Sequence, residues 1–75
     1  MLLAFALDER RQRATLSKDA STDDVFAAAA RLYALDDADA IDLLVRGTRL
    51  PRGVRLRYTA LAKAPNEQIL VVPRA

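Results

Sequence analysis

The sequence predicts an α+β domain: a β-hairpin, one amphipathic helix, then further strands. Three observations predict it. Apolar residues alternate with period two near the start and again at the end, in "QILVV". Between them, "STDDVFAAAARLYAL" changes to a helical period. The 75 residues are organised as a single domain, 1–75, with no room for a second core.

The elements follow in order. Leu3, Phe5 and Leu7 alternate, and Ala14 and Leu16 do so again after Asp8-Glu9-Arg10-Arg11. Two such runs joined by a short polar turn predict a hairpin. A helix is expected over residues 22–34. Ser21 or Thr22 is positioned to cap it, Asp23 and Asp24 suit its positive end, and four alanines carry its middle. Val25, Ala29 and Leu32 form its apolar stripe, with Phe26 and Tyr33 at the edge. "LDDADA" is a polar turn region, with Leu35 tucked back under the helix. "IDLLVRGTRL" gives a strand, a turn at Gly47 and a short strand entering Leu50. Pro51 and Gly53 then break the pattern, leaving a long connection anchored by Leu56 and Leu61. The last strand, "QILVV", stops at Pro73.

Composition excludes several function classes. Without cysteine or histidine the chain has no disulfide, no thiolate or imidazole metal ligand, and no imidazole base. The serines and threonines therefore lack a partner for nucleophilic activation, and no enzyme is expected. Asp36, Asp37 and Asp39 lack the ligand spacing of a calcium loop, so no metal and no cofactor are expected. Gly47 and Gly53 are isolated, which gives no phosphate cradle. "MLLAFALDERR" is too short and too acidic at its end for a secretory leader, and no run is long enough to span a bilayer. The net charge is only +2, but Asp19 to Asp42 holds seven carboxylates against Arg31 alone. Arg46 to Arg57 holds five arginines and no acid. This predicts a surface with a negative and a positive side, or two ordinary solvated faces.

The order hairpin, helix, strand, connection, strand resembles the ubiquitin β-grasp, and "LLVRGTRL" is similar to the ubiquitin strand-turn-strand. The resemblance implies one helix packed on a mixed sheet, with the last strand inserted centrally beside the first. In detail the chain looks like the N-terminal ubiquitin-like domain of TUG-type UBX-domain proteins. The matching residues are Arg10-Arg11, Asp42-Leu43, Leu50, Arg57-Tyr58, Ala60-Leu61, Pro65-Asn66 and "QILVVP". "LPRG" departs from that family's "LDLS". The implication is the N-terminal module of a longer adaptor, an expectation that Met1 fits. Such an adaptor is linked to an AAA+ ATPase and to trafficking, and is cytoplasmic or nuclear. The Phe-Pro loop of a UBX domain is absent, so ATPase contact is assigned to other domains of the parent protein. Conjugated modifiers end in Gly-Gly; Val72-Pro73-Arg74-Ala75 stands in that place, so attachment to targets is not expected.

What remains is protein recognition. With Leu43 and Val45 inward, Leu44 faces outward; with Ile69 and Val71 inward, Leu70 and Val72 do. Leu44 and Leu70, rimmed by Arg46 and Arg49, resemble the hydrophobic patch of ubiquitin and form the candidate protein-binding site. Asp8-Glu9 replaces the aliphatic that ubiquitin carries on its hairpin. An alternative site is the hairpin edge at Arg10, Arg11 and Arg13, as in a Ras-binding-type β-grasp module pairing with a partner strand. A free-standing ubiquitin-like protein of a bacterial secretion system is a second alternative. Arg46, Arg49, Arg52, Arg55 and Arg57 raise nucleic-acid binding, but with Tyr58 as the one aromatic nearby this reading is not favoured. No membrane insertion is expected.

Overall fold

The computed structural model describes residues 1–63 and 67–74; Ala64, Pro65, Asn66 and Ala75 lie outside the described residues, and with them the expected Pro65-Asn66 match. Strands β1 (Leu2–Leu7) and β2 (Arg10–Thr15) form the hairpin, followed by helix α1 (Thr22–Leu32). A 3-10 turn (Ala38–Ala40) leads into β3 (Ile41–Val45) and β4 (Thr48–Arg49). The connection holds a second 3-10 turn (Leu56–Tyr58) and a short helix α2 (Ala60–Lys63) before β5 (Gln68–Pro73). The strand order is β2-β1-β5-β3-β4. β5 pairs parallel with β1 and antiparallel with β3, so the last strand is central and the sheet is mixed.

Alternation sets the two faces. Leu3, Phe5, Leu7, Ile41, Leu43, Val45, Ile69 and Val71 are buried against α1 and the connection. Leu56 and Leu61 are its fully buried anchors, as the sequence predicts. The helical stripe is centred elsewhere than expected. Phe26 and Tyr33 are buried with Val25 and Ala29, whereas Leu32 is only partly buried. The two aromatics carry more apolar area, and the helix rotates to bury them.

Helix α1 begins with a capping box. The Ser21 hydroxyl accepts from Asp23 N at 3.0 Å, and Asp24 Oδ2 accepts from Ser21 N at 3.2 Å. The helix ends two residues short of the expected 34. Ala34 adopts φ 53°, and the amides of Ala34 and Leu35 turn back to the carbonyls of Arg31 and Ala30 (3.3 and 2.7 Å). This is a Schellman close, and Leu35 at its end packs on the core.

The connection is tied to the helix start. Thr22 N donates to Val54 O at 2.7 Å, and Leu56 N donates to Ala20 O at 3.0 Å. Arg52 lies 3.7 Å from the centroid of the Phe26 ring and donates to Ile41 O at 2.7 Å. The arginine-rich segment therefore folds back onto the acidic one. Arg52 pairs with Asp39 at 3.6 Å and Arg57 with Asp19. Charges that are segregated along the chain thus meet in space at these two pairs.

Candidate functional site

The face of the sheet away from α1 carries the predicted patch. Leu44 and Leu70 are direct partners in the antiparallel β3–β5 register. Their Cβ atoms are therefore about 5 Å apart on one face. Leu70 is 45% exposed and Val72 40%, while Leu44 is half-buried beside them. Arg49 is the partner of Leu44 across β3–β4, so it stands on the same face. Arg46 lies in the two-residue turn with Gly47, both at positive φ (55° and 79°), which suits the twist of the strands. Its Nε donates to Glu67 Oε1 at 2.8 Å. The structure thus brings Leu44, Leu70 and Arg49 together, whereas Arg46 has its charge engaged at the turn.

The residues of the alternative site, Arg10, Arg11 and Arg13, all lie on the edge strand β2, with side chains divided between its two faces. The hairpin turn is Asp8-Glu9 alone, with Asp8 at φ 54°, so Arg10 already pairs with Leu7 in the ladder. Its side chain is on the helix side, 5.5 Å from the centroid of the Tyr33 ring. The Tyr33 hydroxyl donates to Arg10 O at 2.9 Å. Burial raises the Tyr33 pKa, an effect that backbone hydrogen bonds and the Arg10 charge only partly oppose. Arg11 and Arg13 alternate to the opposite, open face, where they line a depression with Ala4 and Gln68.

Ala4, Ala6 and Gln68 are the site residues that the sequence reading passed over. The signal was present: once Leu3, Phe5 and Leu7 face inward, Ala4 and Ala6 must face outward beside Leu70. Ala6 is the register partner of both Arg11 on β2 and Leu70 on β5.

The other candidate groups serve local structure. Asp37 Oδ1 accepts from Asp39 N at 2.8 Å and caps the first 3-10 turn, while Asp39 faces Arg52. The buried Thr59 hydroxyl donates to Leu56 O at 2.8 Å. Of the five arginines from 46 to 57, three are paired with carboxylates, which disperses the basic stripe a nucleic acid would follow. No helix among the described residues is long and apolar enough to cross a membrane.

No protein-family model matches the sequence, and no curated protein matches it. Solved structures do. The ubiquitin of Caldiarchaeum subterraneum superposes with a TM-score of 0.80 at 15% identity, over 100% of this chain and 94% of that one. A computationally designed protein based on human erythrocytic ubiquitin gives 0.79 at 16% identity, over 99% and 91%. The N-terminal ubiquitin-like domain of the 4931431F19Rik protein gives 0.75 at 14% identity, over 100% and 75%. With its central parallel β5 and single main helix, the chain has the ubiquitin-like β-grasp fold.

Proposed function

We propose that this chain is a non-enzymatic protein-docking module whose open sheet face, centred on Leu44 and Leu70, seats an apolar surface of a protein partner. The observation that carries the reading is the exposure of Leu70 and Val72 on a central strand, beside half-buried Leu44. Apolar side chains that cluster in the open in this way mark interaction sites. The absence of histidine and cysteine, and the structural use of Ser21 and Thr59, support a role without chemistry.

The finer reading is the N-terminal domain of a TUG-like UBX adaptor, cytoplasmic or nuclear, whose other domains engage an AAA+ ATPase. Its support is the motif resemblance from Arg10-Arg11 to "QILVVP". Strand pairing at the hairpin edge, the Ras-binding-type alternative, has as its support the placement of Arg10, Arg11 and Arg13 on the edge strand β2.

The test is affinity capture with the 75-residue chain against Leu44→Ala/Leu70→Ala, followed by identification of the bound proteins. The double variant is expected to stay folded and lose the partner. A folded variant that retains the same partners sinks the docking reading. An AAA+ ATPase complex recovered with the full-length parent, but not with this domain, supports the adaptor assignment.

A further inference from the structure

The register places five residues in one row across the open face. Arg11 pairs with Ala6, Ala6 with Leu70, Leu70 with Leu44, and Leu44 with Arg49. The row is basic at both ends and apolar in between, and Ala6 is a buried methyl at its floor. A second level is formed by Arg13, Ala4 and Gln68, which continue the trough along the strands. Arg11, Arg13 and Arg49 have no ion pair among the described residues. The acids on this side, Asp42 and the turn residues Asp8 and Glu9, lie towards the Val72 end, and Asp42 is 3.9 Å from Arg74.

We propose that this face takes an acidic amphipathic helix, lying along the strands between two arginine walls: Arg11 and Arg13 on β2, and Arg49 on β4. The inference rests on the docking reading above and names the chemistry of the partner. Four strand gaps separate the walls, about 19 Å. A helix with its side chains is about 10–12 Å across, which leaves roughly 4 Å on each side, within reach of an arginine. An extended peptide, at about 4.8 Å per strand, meets one wall or the other but not both. From Gln68 to Val72 the face runs about 13 Å, which matches about nine helical residues and is spanned by a helix of about 11. The partner's apolar stripe then rests on Leu44, Leu70 and Val72, and carboxylates on both of its flanks meet the guanidinium groups.

The probe is a fluorescent peptide of about 11 residues, held helical by a side-chain cross-link because so short a helix frays alone. It carries leucines at i, i+4 and i+7 and glutamates on both flanks. Anisotropy is read against the 75-residue chain. Arg11→Glu/Arg13→Glu and Arg49→Glu are each expected to weaken binding by about two- to fivefold, and a peptide with one flank changed to glutamine by a similar factor. All three arginines are exposed, so circular dichroism is expected to be unchanged. If only Leu44→Ala/Leu70→Ala weakens the probe, the docking reading stands and the two-walled helix site falls. If neither set matters, or the probe does not bind, the helix proposal falls, and the docking reading is then decided by the capture experiment. A single-stranded oligonucleotide that binds more tightly than the peptide, with steep salt dependence, overturns the proposal in favour of nucleic acid.

Discussion

Leu44 and Leu70 are cross-strand partners on the two innermost antiparallel strands, with their side chains on the face that α1 leaves open. Their neighbours in sequence, Leu43 and Ile69, are fully buried on the other face. One residue of register therefore separates the core from the candidate docking surface.

That separation makes the two leucine classes respond differently to truncation. Leu70→Ala is expected to cost about 1 kcal/mol or less, since nearly half the side chain is already in water. Leu43→Ala is expected to cost about 2–5 kcal/mol. A domain of this size has only about 4–11 kcal/mol to lose. Thermal unfolding of both variants checks this; equal losses mean that the strand phase is wrong.

Ala34 holds the left-handed position that closes α1, where its methyl crowds the following carbonyl oxygen. Ala34→Gly is expected to stabilise the fold by about 1 kcal/mol, raising the Tm by roughly 4–8 °C. Calorimetry tests it, and an unchanged or lower Tm removes the strain argument.

Ser21→Ala removes the hydroxyl that accepts from Asp23 N and dismantles half of the capping box. The expected cost is about 1 kcal/mol, measured by urea unfolding. Thr22, the next residue, is buried and bonded to the connection, so it is not free to take over the cap.

Tyr33 links stability to alkaline pH. Its pKa is raised in the fold because burial disfavours the phenolate. The neutral form is thus favoured in the folded chain. The associated stability is complete below the unfolded tyrosine value of about 10 and is lost as pH rises through the higher folded value. Tyr33→Phe is expected to flatten the decline above about pH 10 while losing the bond to Arg10 O. Chemical unfolding at stepped alkaline pH decides it: parallel declines in the two proteins remove the assignment.

The elements that bury side chains on one face were legible in the sequence. Phe5, Leu43, Val45, Ile69 and Val71 fix their strands because their alternation has one solution against a core. β2 was less legible because Arg10 to Arg13 present no apolar rhythm. Moving its start by two residues separates Arg10 from Arg11 and Arg13. The Leu44–Leu70 proximity was readable from strand phase together with the β-grasp resemblance. The arginine wall on β2 was not, because it depends on which strand lies beside which. Nor could composition show that Arg52 and Arg57 reach back to Asp39 and Asp19, since such pairing is set by how the connection wraps.

The parallel β1–β5 pair has one further consequence, which is mechanical. The first and last strands lie side by side and run the same way. A pull applied to the two ends drags them along their length in opposite senses. The cross-strand hydrogen bonds are then loaded together in shear, instead of opening one after another like a zip. Placed in series within a longer chain under tension, this domain is a stiff link, and the segments that flank it extend first.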